Sequence, residues 1–539
     1  MFTDPVILGL TTTILIISCF ALPLFSLLIK RRRKVLDAYA LVVSLFAESS
    51  AIITFYNEFF VLNEPIVYKF GGWVPPIGII YEVDKLNALL GLVTGTVMFL
   101  IVLHSALYMR GGRIEWYYTL LLGLETGLLG VIYTGDAFNL FVMVEVTSIS
   151  LYGLIAFYRT EGEAVDSALK YALLGAVSTT FYFIALIFFY ASYGTLNMAD
   201  LASKAAGLSF PFSGSPYGNI LTGTAIALAF TLWAFTFKAA LFPNHFWLPD
   251  AHSAAPAPVS AALSGLVVSN GAYVVIRFLY TIFGKAYISS SSPVFFPTIS
   301  PAGFPSVFFE SIKLALIVLG SASAILASLL MVLQKNVKRV IAYSTVFHMG
   351  LIFMGIGLGT DLGLKAAIFH IVNHAVAKAL LFISIGVLTT YAGSRRIDKL
   401  GGVGRYVPIT FATFLIGVLA IEGLPPFNGF MSKFMLYSAF LDAGLAPLTI
   451  IIVVSTAIAL MAWMKVLFSV WFKKPDKPIE NVKEFPVVIV PIVLAVLCIV
   501  LGLLAPTIDR VILTPTVSSL RNVDSYIQAA VRAAGGAGG

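Results

Sequence analysis

Charge is what this sequence has least of. Of 539 residues, 11% are Asp, Glu, Lys or Arg and 59% are hydrophobic, whereas an ordinary globular domain is about 25% charged. So little polar surface cannot coat a soluble particle of this length. That excludes a soluble multidomain enzyme and a disordered chain alike. Cysteine is scarce too. Cys19 and Cys498 both lie inside apolar runs, which excludes a disulfide framework, a cysteine-ligated iron–sulfur cluster and a zinc ribbon. Glutamine occurs only at Gln334 and Gln528, and a shortage of thermolabile amides fits adaptation to heat. The roughly ten-residue alternating segments of a β-barrel are also missing.

What is present is a succession of apolar runs of about 20 residues. The chain is expected to be an all-α polytopic membrane protein with about fourteen transmembrane helices. Their cores lie near 6–29, 36–61, 86–109, 116–134, 138–158, 168–193, 220–242, 259–283, 309–334, 339–358, 364–391, 407–440, 447–472 and 485–505. The run at 407–440 is too long for one straight span, and Gly423-Leu424-Pro425-Pro426 must break it.

The net charge of +8 is not a nucleic-acid signal, because the basic residues sit in short loops between apolar runs. They report topology instead. Arg31-Arg32-Arg33-Lys34 follows the first span and nothing basic precedes it, the reverse of a signal peptide. On that side of the membrane fall 18 loop Lys and Arg residues, against 8 on the other. The loops are therefore expected to place both termini extracytoplasmic in a multi-pass protein of the cell membrane. The tail 506–539 ends in Ala-Ala-Gly-Gly-Ala-Gly-Gly and is expected to be mobile.

Ionisable residues inside spans are costly, at least about 2.5–3.5 kcal/mol each at the bilayer centre. Here they are numerous: Glu48, His104, Glu125, Glu145, Lys238, His348, His370, His374, Lys378, Glu422, Lys433 and Lys465. Such density fits a proton or cation pathway better than a receptor or an anchor. Glu48, Glu125 and Lys465 fit a path and a helix–helix ion pair equally well, and His104 reads as a local hydrogen-bonding residue. His370, His374 and Lys378 are spaced i, i+4, i+8 and cover about 12 Å of one helical face. Bridged by water, they would make a proton wire. The plainer reading is two interior histidines bonded to backbone carbonyls. Zinc is disfavoured, since His-Ile-Val-Asn-His lacks the metalloprotease glutamate and has no cysteine beside it.

Lys238 precedes Phe242-Pro243-Asn244, and Lys433 follows Pro425-Pro426. Two interrupted helices at matching places in two halves are the sign of inverted repeats, here spans 4–8 and 9–13. The plainer reading is two proline kinks in packed helices. The expected division is 1–115 for the first three spans, 116–283 and 309–472 for the two repeats, 485–505 for the last span, and 506–539 for an extracytoplasmic tail.

At this point several stretches become recognisable. Gly135-Asp136-Ala137-Phe138-Asn139-Leu140-Phe141-Val142, followed by Glu145, resembles the span-5 signature of antiporter-like subunits. Those subunits occur in Mrp-type sodium/proton antiporters, respiratory complex I and membrane-bound hydrogenases. Phe246-Trp247-Leu248-Pro249-Asp250-Ala251-His252 with Ala255-Pro256-Ala257-Pro258-Val259-Ser260-Ala261 is similar to the family's stretch between spans 7 and 8. Lys338-Arg339-Val340-Ile341-Ala342-Tyr343-Ser344-Thr345 with His348-Met349-Gly350 resembles the start of span 10. His374-Ala375 with Lys378-Ala379-Leu380-Leu381-Phe382 resembles span 11, and Gly423 to Phe430 with Ser432-Lys433-Phe434 resembles span 12. Together they cover roughly residues 80–470 in order.

The resemblance implies a fourteen-helix fold whose two inverted five-helix repeats each hold a half-channel. It implies a Glu145/Lys238 pair, a connecting Lys378 and an exit residue Lys433, with His252, His348, His370 and His374 along the same line. The Asp-Ala-Phe-Asn-Leu-Phe form before Glu145 resembles the Mrp and hydrogenase branch more than complex I, and a tail too short for the lateral helix of complex I's distal subunit is expected to go with that branch. The resemblance also implies other antiporter-like and small membrane subunits as partners, a peripheral redox module, lipid, and H+ or Na+ as the transported ion. No cofactor is expected in this chain, and iron–sulfur clusters or other metal centres would sit in partner subunits. The family's span-8 lysine position falls on Ser269, and the histidine of another branch on Ser264, so no titratable span-8 relay can be named.

The expected mechanism rests on one switch. A lysine's ordinary pKa of about 10.4 is too high to release a proton at neutral pH. Burial favours the neutral amine and a neighbouring carboxylate favours the ammonium. At about 4 Å and an effective dielectric of about 20 the pair is worth about 4 kcal/mol, roughly a thousandfold in proton affinity. Movement of Glu145 relative to Lys238 would then load and release the proton. Two other readings remain: an autonomous carrier of a small solute, which also uses broken helices, and a transport-inactive scaffold.

Overall fold

The computed structural model describes residues 5–216, 218–285, 306–475 and 484–535. α1 (Val6–Leu28) and α2 (Arg33–Tyr56) flank the basic turn. A short antiparallel hairpin follows, β1 (Ile66–Lys69) with β2 (Ile80–Val83), Ile66 lying opposite Val83. Then come α3 (Lys85–Tyr108), α4 (Ile114–Tyr133), α5 (Ala137–Ile155), α6 (Gly162–Tyr193) and the short α7 (Met198–Ala205). Polar residues set these boundaries. The Asp84 carboxylate accepts from the backbone N–H groups of Leu86 (2.9 Å) and Asn87 (3.1 Å) to start α3. Asp136 starts α5 by accepting from Asn139 N–H at 2.7 Å. Replacing Asp136 by alanine is expected to cost about 1 kcal/mol, read as a lower thermal unfolding midpoint of the purified chain.

Both proline segments lie between helices. α8 (Ile220–Lys238) stops at Lys238 and the chain resumes as α9 (Trp247–Ala254). α14 (Pro408–Glu422) stops at Gly423 and α15 (Asn428–Asp442) begins five residues later. Gly423 has φ +80°, and a Cβ there would sit 2.9 Å from the Lys433 side chain, so this turn requires glycine. Between the two breaks lie α10 (Ala257–Ile282), α11 (Ser306–Leu333), α12 (Val337–Leu358) and α13 (Asp361–Ala392). α10 widens into π turns at Leu263–Val267 and Arg277–Ile282. α16 (Ala446–Phe472), α17 (Ile489–Leu503) and α18 (Ala505–Arg521) follow, and α19 (Val523–Ala533) ends the described chain.

Among the described residues, eleven helices are long and apolar enough to cross a membrane, or twelve if α17 and α18, bent by 69°, form one span. Two of the fourteen expected spans fall outside that set: α4, buried along nearly its whole length, and the split α14/α15 segment. α12 and α13 are buried throughout their apolar windows, whereas α1 and α16 bury only 33% of theirs. The outer helices turn Phe20, Leu24, Ile450 and Met461 outward, as helices bathed in lipid or facing other subunits do. The polar residues are thereby concentrated on the central helices.

The tail departs from expectation. Residues 505–533 are helical, and α19 docks on β1 and α7. Val523, Tyr526, Ile527 and Ala530 form its buried face, an i, i+3, i+4, i+7 stripe that the terminal Ala-Gly run obscured. Arg532 pairs with Glu64, Lys285 with Asp524, and Arg521 with Asp361 at 2.5 Å. Residues 536–539 lie outside the described chain.

Candidate functional site

The candidate site is a series of polar side chains inside the helix bundle, most of them buried. At one end the Lys238 ammonium, at the last turn of α8, donates to Ser148 Oγ at 2.8 Å and lies 5.8 Å from the Tyr171 ring centroid. Trp247 stacks on that ring at 4.3 Å and donates its Nε1–H to the Phe237 carbonyl, so the break in α8 is braced by aromatics. Glu145 stands one turn before Ser148 on α5, with Oε1 buried and unpartnered. It is within electrostatic reach of Lys238, but the two form no ion pair. The expected 4 Å contact is replaced by Lys238–Ser148, and Ser148 carries no sequence signal of its own.

His252 lies on α9, stacked on Phe382 of α13 at 4.5 Å, with neither ring nitrogen partnered. Nearby, Lys338 Nζ is buried and donates to the Ala255 carbonyl at 2.7 Å. In the sequence it reads as a loop lysine marking topology. The structure corrects this: α12 begins at Val337, capped by Asn336 (3.0 Å to Lys338 N–H), which carries Lys338 into the bundle.

The span-8 gap is filled by hydroxyls. Ser269 turns back to its own helix, donating to the Gly265 carbonyl at 2.9 Å. Ser264, in the first π turn of α10, instead meets Thr345 Oγ1 of α12 at 2.6 Å. Such a turn re-aims a side chain that a regular helix would carry elsewhere. The neighbour of Thr345, Ser344, accepts a hydrogen bond from the Lys378 ammonium, which also donates to the Ile341 carbonyl at 3.3 Å.

The histidines are arranged differently from their spacing. His370 makes no direct hydrogen bond to His374 along α13. His370 Nε2 meets His348 Nδ1 of α12 at 3.0 Å, and His370 Nδ1 meets Ser432 Oγ of α15 at 2.9 Å. His374 lies with its ring 6.0 Å from that of His348, both nitrogens unpartnered. Next to Ser432, Lys433 donates to the Glu422 carbonyl at 2.9 Å, placing a cation at the C-terminus of α14, where the helix dipole favours it. The Glu422 carboxylate accepts from Trp463 Nε1–H of α16 at 2.7 Å. Trp463→Phe leaves that oxygen without its donor and is expected to cost about 1–3 kcal/mol, read as a lower thermal midpoint.

The remaining ionisable residues separate from this row. Lys465 donates to the carbonyls of Val332 (3.0 Å) and Gln334 (2.8 Å) and so caps the end of α11. His104 stacks on Tyr108 at 5.1 Å within α3. Glu48 and Glu125 accept from Thr96 (2.8 Å) and Ser44 (2.9 Å) and form no ion pair. A residue the sequence reading passed over is Arg277. Fully buried in the second π turn of α10, it forks onto Asp84 at 2.7 and 3.0 Å beneath Tyr526 of α19.

Taken as chemistry, the row supplies two lysines near carboxylates, a third lysine on a hydroxyl and a carbonyl, and an imidazole pair that reaches Ser432, the chain neighbour of Lys433. Such groups hold and hand on protons.

The chain is similar to several known proteins. A family model described as NADH:quinone oxidoreductase/Mrp antiporter, TM, matches residues 134–304 and 297–459. NADH-quinone oxidoreductase subunit N of Desulforudis audaxviator is 31% identical over 424 residues, 78% of this chain and 78% of that relative. Among solved structures, a chain of the membrane-bound sulfane sulfur reductase, an archaeal respiratory membrane complex, matches with TM-score 0.85 and 31% identity over 98% of this chain and 100% of that one. A chain of the Mrp complex from a Dietzia species matches with TM-score 0.82 and 22% identity over 97% and 99%, a likeness of fold.

Proposed function

Because this chain belongs to the NADH:quinone oxidoreductase/Mrp antiporter family, we propose that it translocates protons as an antiporter-like subunit of a multi-subunit, energy-converting complex of the cell membrane. The observation that carries this reading is the buried row from Lys238 through Lys378 to Lys433, joined at its second half by the His348–His370–Ser432 contacts. Glu145 sets the charge of Lys238, Lys378 passes the proton between halves, and Lys433 releases it beside Glu422. A scaffold that had lost transport would have no use for buried Lys238, Lys378, Lys433 and Glu422 at these places.

In this reading the chain has fourteen spans, both termini outside, and two inverted repeats built from α4–α10 and α11–α16. The paired breaks after Lys238 and before Lys433 support it. Electron transfer, if it powers the cycle, is carried by partner chains, as the likeness to an archaeal respiratory complex suggests.

The test has two stages. The complex is isolated gently from its own membrane and its subunits identified by mass spectrometry. Inverted vesicles holding it are then assayed for acidification with sodium present and absent. Internal acidification independent of sodium, lost in Lys378→Ala, is the expected result. Sodium uptake without acidification would sink the proton assignment, and a chain that purifies alone and still transports would sink the complex.

A further inference from the structure

Outside the row described above, α2, α3 and α4 enclose a second group of acids. Glu48 on α2 and Glu125 on α4 are both buried, 9% and 0% exposed. Each has one carboxyl oxygen satisfied by a hydroxyl: Thr96 Oγ1 donates to Glu48 Oε1 at 2.8 Å, and Ser44 Oγ to Glu125 Oε1 at 2.9 Å. The second oxygen of each is buried without a partner. The two groups are near enough to act on each other, and no lysine, arginine or histidine acts on either.

A third polar atom points into the same place. The Tyr133 hydroxyl is fully buried, has no partner, and is within reach of the Glu48 charge. The backbone makes room for both. A Cβ at Gly91 would fall 2.3 Å from the Tyr133 hydroxyl, and one at Gly95 would fall 2.5 Å from Glu48 Oε2. Gly91 and Gly95 are one turn apart on α3, so they cut a groove in which the tyrosine and the glutamate lie against bare helix.

The surroundings add no compensating charge. On the face of α4 away from Glu125, α1 brings the Cys19 thiol beside Gly123, and α5 brings the hydroxyls of Ser150 and Thr147 against Gly123 and Gly127. Tyr81 lies behind Tyr133. Two ionised carboxylates in such a place, with no cation, would repel each other across a medium that screens poorly. The site therefore needs positive charge, and its own acids accept protons.

We propose that Glu48 and Glu125 form a proton-storing carboxyl pair in the N-terminal bundle, separate from the line between Lys238 and Lys433. Further along α2 toward the hairpin, Thr54 Oγ1 and Glu58 Oε2 are also buried and unpartnered, and Lys85 donates to the Glu58 carbonyl at 2.7 Å. They mark the route by which water-borne protons reach the pair from that end. A proton adds to a carboxylate oxygen and leaves from it, and no other bond changes. On its other side α4 packs against α5, which carries Glu145, so the pair stands one helix away from the proposed translocation line.

The test is infrared spectroscopy of the full purified chain in lipid nanodiscs near neutral pH, with wild type, Glu48→Gln and Glu125→Gln compared before and after H/D exchange. Each substitution is expected to remove or shift a protonated-carboxyl C=O band. Loss of ionised-carboxylate bands alone, in both variants, would overturn the proposal. So would disappearance of the wild-type band when sodium replaces a bulky organic cation, since the pair would then be a sodium site. Should the glutamine variants fail to fold, Ser44→Ala and Thr96→Ala each remove one hydrogen bond and are expected to move the band to higher frequency. An unmoved band in both would refute the pair. The readout is carboxyl protonation in the chain by itself, so its failure leaves the proposed transport role standing.

Discussion

Lys238→Ala is expected to reduce proton translocation by the assembled complex to the passive leak, with the subunit still inserted and its partners still bound. Lys238 is a buried cation held by Ser148 and within reach of the Glu145 charge. Glu145→Ala should give the same loss by removing the group that sets the lysine's affinity. The sharper variant is Lys238→Arg. It keeps the positive charge and the hydrogen bond, but a guanidinium does not give up its proton in a protein. If proton exchange at this position is the step, the arginine variant is as inactive as alanine, measured as acidification of inverted vesicles. Normal pumping by Lys238→Arg in a verified complex would reduce Lys238 to a fixed charge.

The largest stability effect is expected at Arg277. Its guanidinium forks onto Asp84 with both groups 2% exposed, and Asp84 also starts α3 through Leu86 and Asn87. Arg277→Leu strands a buried carboxylate, a loss of about 3–5 kcal/mol. The double variant Arg277→Leu with Asp84→Asn should recover much of it, because the stranded charge is gone while a side-chain oxygen still caps the helix. Thermal unfolding of the purified chain reads both, and additive losses in the double variant would show that the pair is not coupled.

The contrast between these two sites shows what the sequence makes legible. Lys238 and Lys433 could be read because Pro243 and Pro425-Pro426 stand between helices beside them, and a lysine beside a break in an apolar run has few ordinary uses. The caps at Asp84 and Asp136 follow equally local rules. Arg277 stayed hidden because it lies in the last turns of a span, where an arginine reads as a boundary, and its partner is some 190 positions earlier. His348, His370 and Ser432 show the same limit from the other side. Spacing along α13 puts His370 and His374 on one face, but which neighbour each meets depends on how α12 and α15 lean against it. The π turn that aims Ser264 at Thr345 has no local signature in the chain. Lys338 was misread because a loop lysine and a first-turn lysine look alike until the helix start is fixed.

The contact between His348 and His370 also imposes an order on events. A neutral imidazole carries a single N–H, so the chain His348–His370–Ser432 can be oriented only one way at a time. If His348 donates to His370, then His370 donates to Ser432, and the reverse orientation reverses both. In the proposed translocation, a proton passing along this chain would swap the tautomers and leave the pair facing backwards. The next could follow only once both rings had been re-armed, by rotation or by a proton returning from the opposite end. The pair would then act as a turnstile, passing protons singly.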